Sequence, residues 1–465
     1  MSPNPGPGDG PALPHTSLDE IDSALEALGI DTGEFERPSL VGIRDADDAS
    51  ATTHDRTGLR ARFGSPLPRN FRLLWGATAL SNLGDGLRLV ALPLLATSVT
   101  GDPRLIAGVT VAERLPWLLF ILPGGAWADR YDRRVLRMRL DMARAVVMAG
   151  LVAVILLDQV SIGVIFVVAA LLASAEAIVD SSSMAMIPAT VEFDDLERAA
   201  GRLGSTELAM NDLAGPPIGG LLFGLAIAIP FGLDALSFAG AALVMAFMSG
   251  TYTSGTAHTS GIRMRTRVSE GFRWLWDQHL LRMLAVISTA LGTASFIGTA
   301  VFVLYARDTL GLSEFGYGLL LVPGAIGGII GSLIAPRFRG FPLRVTLSCA
   351  VLASGGATWL IAATSIPAVA GLLWAVSLGA IMVWNVLTLA LRQRLIPNEM
   401  LGRVGASYRF LVFLGMPVGA LIGGLLAYRF GVRSAIFVSG SILIFLGAIV
   451  PVLLKGIEQT ERQSA

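Results

Sequence analysis

The chain has 465 residues, of which 53% are hydrophobic and only 15% charged, with a mean hydropathy of +0.65 and a formal net charge of +0. Soluble globular chains carry about 25% charged residues, so this composition excludes a water-dissolved globule and makes lipid the natural solvent. The charge balance gives no reason to expect a nucleic-acid partner, and the single cysteine, Cys349, excludes an internal disulfide.

Residues 1–68 differ in composition from the rest and read as a largely disordered cytoplasmic extension. Within them Ser17-Leu18-Asp19-Glu20 has the form of a capping box opening a short helix, with Leu18, Ile21, Leu25 and Leu28 on one face. The extension is either a solvated tail or a docking element. The first apolar run begins near Phe71, too late for a cleavable signal peptide. From Arg69 onward apolar stretches of membrane length recur, at 71–98, 104–127, 138–158, 161–187, 200–228, 230–250, 283–306, 314–336, 342–363, 366–391, 405–428 and 433–454. The fifth and sixth are nearly continuous, and Pro230 is expected to mark the turn between them.

Basic charge is almost all arginine, with Lys455 the only lysine, and the arginines set the topology. They cluster after every even-numbered span: Arg130, Arg133, Arg134, Arg137 and Arg139; Arg198 and Arg202; Arg263, Arg265, Arg267 and Arg273; Arg337, Arg339 and Arg344; Arg392, Arg394 and Arg403. Arg429 and Arg433 break the trend mildly. Both termini are therefore expected in the cytoplasm of a bacterial cell whose inner membrane holds the chain. The sequence also repeats itself. Ala128-Asp129-Arg130-Tyr131 has a counterpart in Ala335-Pro336-Arg337-Phe338, and Gly219-Gly220-Leu221-Leu222 in Gly423-Gly424-Leu425-Leu426. The simplest account is an all-α membrane protein of two six-helix bundles, 69–250 and 281–455, joined by a cytoplasmic loop at 251–280 and followed by a tail at 456–465. Parallel repeats place a substrate site between the halves near the bilayer midplane.

Gly125-Ala126-Trp127-Ala128-Asp129-Arg130-Tyr131-Asp132-Arg133-Arg134 resembles the signature between helices 2 and 3 of the major facilitator superfamily, with Asp132 where that signature usually has Gly. Gly215-Pro216-Pro217-Ile218-Gly219-Gly220 resembles the helix-5 motif of its antiporters. Ser81-Asn82-Leu83-Gly84-Asp85-Gly86 and Leu391-Arg392-Gln393-Arg394-Leu395-Ile396-Pro397 look like the branch containing enterobactin exporters and macrolide-efflux proteins. The resemblance spans roughly 70–455. It implies the twelve-helix major facilitator fold and export of a hydrophobic or amphipathic small molecule against protons, the alternatives being uptake or a non-transporting membrane sensor. It further implies that Asp129, Arg130, Arg133 and Arg134 form a gating cluster, where plain topology determination is the other reading. Gly215, Pro216, Gly219 and Gly220 are implied to limit leak. The oligomeric state is open, with a monomer expected.

An energy source must come from outside the chain or from an ion gradient, because the only lysine is followed by Gly456 and no phosphate loop exists. No cofactor, metal or catalytic residue is expected. His15, His54, His258 and His279 all fall in predicted loops or the tail, so any proton must ride on carboxylates. Intramembrane acids are costly and are functional candidates by default. Asp85 lies in span 1 between glycines; a structural hydrogen bond is its alternative role. Glu113 and Arg114 in span 2 either neutralise each other or face separate partners. Glu176 and Asp180 share a face of span 4, where two like charges favour keeping one protonated, although Asp180 sits near the cytoplasmic end. Glu207 and Asn211 share a face of span 5. Arg144 either neutralises one of these acids or snorkels. Asp234 reads as an interfacial residue at the outer surface. Asn82, Trp117, Phe120, Asn211, Trp384 and Phe410 are candidates to line the substrate cavity, lipid-facing positions being the alternative for the aromatics.

Overall fold

The computed structural model describes residues 67–120, 131–253, 264–397 and 399–455, without the side chains of 264–268 and Arg339. All described secondary structure is helical. Residues 1–66 of the N-terminal extension with its capping box, Asp129, Arg130, and three of the histidines lie outside the described residues.

Twelve main helices follow in order: α1 Arg69–Val99, α2 Pro103–Phe120, α3 Arg133–Leu156, α4 Ile162–Met186, α5, α6 Ala228–Ala246, α7 His279–Thr299, α8 Glu314–Ile334, α9 Leu343–Ala363, α10 Pro367–Leu395, α11 Leu401–Phe430 and α12 Val432–Leu453. Helix α5 has three parts, Leu196–Glu207, a π-helical Leu208–Ala214, and Gly215–Leu225. Its π geometry has a local cause. Pro216 and Pro217 supply no backbone donor, and the Gly215 N–H reaches back five residues to the Met210 carbonyl. The turn between α5 and α6 lies at Ala226–Ile227 rather than at Pro230, which sits inside the first turn of α6, where a missing N–H costs nothing. The expected loop at 251–280 contains a helix, Met264–Asp277, whose Leu275 is fully buried and whose Glu270 pairs with Arg403 at 3.1 Å. His279 opens α7 rather than lying in a loop.

Among the described residues eight helices are long and apolar enough on their own to cross a bilayer: α4, α6 and α7–α12. Helices α1, α3 and α5 of the first half fall short of this, and α2 is described only as far as Phe120. There α1 carries Asp85 and Arg88, α2 carries Glu113 and Arg114, α3 carries Arg137, Asp141 and Arg144, and α5 is broken by its π segment. Among the described residues the buried charged side chains, Asp85, Arg88, Arg137, Asp141, Arg144 and Asp234, all belong to the first half.

Helices α1 with α6, α3 with α6, α2 with α4 and α3 with α4 pack together, and the same pairings recur six helices later as α7 with α12, α9 with α12, α8 with α10 and α9 with α10. The halves meet along α5 with α8 and α2 with α11. Small residues permit both seams. A Cβ on Gly318 of α8 would strike the Pro216 carbonyl of α5, and one on Gly220 would strike the Glu314 backbone. One on Gly424 of α11 would stand 2.7 Å from the Ala107 Cβ of α2. At the same end Arg104 lies 3.8 Å over the Tyr428 ring and Arg307 donates to Thr97 at 3.0 Å. The halves are therefore locked together at the end bearing the α1–α2 and α7–α8 connections.

Candidate functional site

A network of buried charges fills the first half. Helix α1 brings it together because Gly84 and Gly86 flank Asp85 on different faces. A side chain at Gly84 would collide with Asp234 and Ser237 of α6, and one at Gly86 would meet the Met210 and Asn211 carbonyls of α5 at 2.6 and 2.8 Å. These glycines let α1 approach two helices closely enough for their polar groups to interact. Asp85 Oδ1 accepts from Arg88 Nη2 at 2.7 Å and from Arg144 Nη2 of α3 at 2.5 Å. Arg144 also donates to Ser81 at 3.1 Å, and its guanidinium lies 3.8 Å over the Phe238 ring. Asp141 stands between Arg137 at 3.5 Å and Arg144 at 3.6 Å.

Arg88 is the hub. Besides Asp85 it meets Glu176 of α4 at 2.9 Å, Glu113 of α2 at 3.8 Å and Asp234 of α6 at 3.8 Å. Its Nε and the Asp234 Oδ2 face each other at that last distance, and neither has a hydrogen-bond partner among the described residues. Five carboxylates (Asp85, Glu113, Asp141, Glu176 and Asp234) thus surround three guanidiniums (Arg88, Arg137 and Arg144). Uncompensated charge in a low-dielectric interior is expensive. With every acid ionised the cluster carries an excess of negative charge, which bound protons or an approaching cation would relieve.

Two cavities flank the cluster. A small polar one of about 140 Å³ is lined by Asn82, Asp85, Glu176, Asp180, Glu207 and Asn211, together with Arg137 and hydroxyl groups. The larger one lies between the halves. One lobe of about 400 Å³ has Glu113, Arg114, Asp212 and Tyr317 in its wall. The other, of about 410 Å³, runs into the second half past Trp384, Arg392 and Phe413. Phe296, Phe302, Trp374 and Leu378 line both lobes, which therefore abut along these side chains. Its second-half wall is aromatic: Phe302 stacks on Trp374 at 4.7 Å between centroids. The π segment of α5 is the partition, turning Asn211 into the polar cavity and its neighbour Asp212 into the central one.

Of the residues singled out in the sequence, Asp85, Glu113, Glu176 and Arg144 come together in the network, while Asp180 and Glu207 line the polar cavity beside it. Glu113 and Arg114 face separate partners, Arg88 and the Phe296 ring at 5.6 Å. Asn82 and Asn211 line the polar cavity and not the central one. Trp384 lines the central cavity and donates to Ser288 at 3.2 Å. Trp117 stacks on Phe413 at 5.8 Å in the α2–α11 seam, and it lines neither cavity. Phe410 also lines neither: the cavity takes Tyr408, Arg409, Val412, Phe413 and Met416 from α11, a stripe that the helical turn carries past Phe410. Phe120, at the end of the described part of α2, is likewise absent from both linings. Arg133 donates to the Ala185 carbonyl at the end of α4, and Arg134 to the Met245 and Ala246 carbonyls at the end of α6. Asp132 caps α3, accepting from the Arg134 and Val135 amides, and accepts from the Tyr252 amide at 3.2 Å. Gly215 and Gly219 seat α5 on α1, while Pro216 and Gly220 seat it on α8.

Sequence reasoning missed Arg88 and Asp141 altogether and misplaced two residues. Asp234 is fully buried in the network rather than interfacial, because Gly84 opens a gap opposite it. Arg137 is a buried residue at 1% exposure, bound to Thr78 and Ser183, rather than a loop charge. The spacing Asp85-x-x-Arg88, one helical turn, was the available signal for the hub.

Residues 64–464 match the transmembrane secretion effector family. The chain is 27% identical over 400 residues to the multidrug efflux pump Tap of Mycobacterium tuberculosis, covering 83% of this chain and 91% of that one. It is 22% identical over 389 residues to macrolide efflux protein A of Streptococcus pyogenes, covering 82% and 95%. Among solved structures it resembles a bacterial homologue of the lysosomal transporter Spinster, inward-facing and unoccupied (TM-score 0.65, 14% identity, 83% and 96% covered). It also resembles the nucleoside transporter NupG (TM-score 0.68, 10% identity, 83% and 100% covered).

Proposed function

Since this chain belongs to the transmembrane secretion effector family, within the major facilitator superfamily, we propose that it is a proton-coupled exporter of hydrophobic or amphipathic small molecules. It works by alternating access across a bacterial inner membrane, with both termini in the cytoplasm. The observation that carries this reading is the central cavity, which sets an aromatic wall from the second half against a mainly apolar first-half wall that carries Glu113, Arg114 and Asp212. Such a cavity fits a drug, antibiotic, siderophore or similar natural product better than a sugar, which needs a dense polar lining. The direction of transport draws on the Tap and macrolide-efflux relatives and on the helix-5 motif.

Proton coupling draws on the buried acid cluster. Moving one charge through 100 mV supplies about 2.3 kcal/mol, which is enough to sustain a concentration gradient of about fiftyfold. Arg133 and Arg134 gate the cytoplasmic side by holding the ends of α4 and α6, and the motif they share with Asp129 and Arg130 supports a gating role for all four. The seams at α5–α8 and α2–α11 close the opposite side.

The test is made in energised everted vesicles, recording the pH gradient while lipophilic drugs, macrolides and siderophore-like compounds are added. Substrate-induced proton release is expected, and Asp85→Asn should abolish it. Accumulation of the same compounds by intact cells under a proton gradient would overturn export in favour of uptake.

A further inference from the structure

The lobe of the central cavity that runs into the second half is lined by two arginines, Arg392 of α10 and Arg409 of α11, and by no acid. Among the described residues neither arginine forms an ion pair, and they stand near enough for their charges to oppose each other. The other arginines of the interior are treated differently. Arg88, Arg137 and Arg144 all pair with carboxylates, and Arg403, two turns before Arg409 on α11, pairs with Glu270 at 3.1 Å.

The position of Arg392 is built. Its Nε donates to the Thr388 carbonyl one turn back at 3.2 Å, and its guanidinium lies 3.8 Å over the Tyr408 ring. Tyr408 is itself fixed: it is buried, its hydroxyl shares a hydrogen bond of 2.7 Å with Ser288 of α7, and Trp384 donates to the same Ser288 at 3.2 Å. These contacts use one face of the guanidinium and its Nε. Both Nη groups are left without a partner among the described residues. Asn385 and Thr388 share the α10 face of Arg392 and line the same lobe. Arg394, two residues on, is exposed and lines neither lobe, as a cation that only sets topology would.

We infer that Arg392 and Arg409 form an anion subsite, and that the exporter read above, on which this inference rests, takes amphipathic carboxylates. Two like charges in the wall of an apolar chamber are costly until an anion joins them, and the planar guanidinium fork matches a carboxylate. The apolar body of such a substrate would lie on Phe302, Trp374 and Phe413, which line the same lobe. Glu113 and Asp212, in the wall of the other lobe, would repel its charged end and so orient it toward the arginines. The pair stands toward the α10–α11 connection, opposite the locked seams, where it would attract anions entering the open end.

The experiment measures binding to the purified full-length chain in detergent by equilibrium dialysis, with a protein-free detergent chamber as the blank. The probes are two lipophilic carboxylates, pyrenebutyrate and fusidate, each compared with its uncharged amide. Wild type should bind at least one acid about tenfold or more tighter than its amide. Arg392→Gln should lose most of that preference, and the double variant Arg392→Gln/Arg409→Gln all of it, while both bind the amide as wild type does. Arg392→Lys should recover part of the preference. Equal binding of acid and amide by wild type for both probes, including none of either, overturns the anion subsite. So does a preference that the double variant retains. Both results leave proton-coupled export of other compounds standing, whereas absence of proton release with every compound in the vesicle assay would remove the exporter reading itself. Unchanged amide binding and gel-filtration profiles matching wild type separate a lost charge contact from misfolding.

Discussion

The surplus of acids over bases makes an asymmetric prediction about stability. Arg144 is 1% exposed and is shared by Asp85, Asp141 and Glu176 at 2.5, 3.6 and 4.0 Å. Arg144→Gln leaves five carboxylates facing Arg88 and Arg137 alone. Breaking a buried ion pair by removing one partner costs about 3–5 kcal/mol, most of it the penalty on the charge left behind. Asp85→Asn acts the other way. It reduces five acids to four against the same three arginines, and the amide oxygen still accepts from one of the two guanidiniums that Asp85 holds. The loss is one charge-assisted hydrogen bond partly offset by a better charge balance, about 1 kcal/mol. The two variants should therefore differ by about 2–4 kcal/mol, in spite of altering the two ends of the same contact. Thermal unfolding of the purified proteins in one detergent reads this as a midpoint several degrees lower for Arg144→Gln than for Asp85→Asn. Equal midpoints, or a lower one for Asp85→Asn, would refute the claim that the cluster is overloaded with acid.

Other expectations follow from the seams, the cavity and the helix ends. Gly318→Leu should abolish transport and raise the accessibility of a cysteine placed in the central cavity to external thiol reagents, because a side chain there strikes the Pro216 carbonyl and forces α5 and α8 apart; unchanged accessibility would mean that the seam is not the outer closure. Trp374→Ala should weaken binding of an aromatic drug by about tenfold, as read by fluorescence quenching, since it removes the ring shared by both lobes of the cavity. Asp132→Ala removes the cap on α3 and the tie to Tyr252, and a loss of about 1–2 kcal/mol should appear in thermal unfolding without a change of substrate profile. Deleting residues 1–65, which lie almost entirely outside the family match, should leave transport intact; loss of all output would favour a sensor driven by the extension.

The sequence by itself determined the solvent, the number of main helices, and the family, because hydropathy runs, arginine spacing and short motifs are local properties of the chain. It also marked Asp85, Glu113, Glu176 and Arg144, since any charge inside an apolar run stands out. It did not reveal that Arg88 is the centre, that Asp234 and Asp141 are partners, or that Asn82 and Trp384 line different cavities. Helical periodicity tells which residues share a face of one helix, but the hub is assembled from α1, α2, α3, α4 and α6. Which faces meet there depends on how closely α1 can approach its neighbours. That approach is set by contacts at Gly84 and Gly86 with helices about 125 to 150 residues away in the chain, a relation that exists only once the bundle has packed.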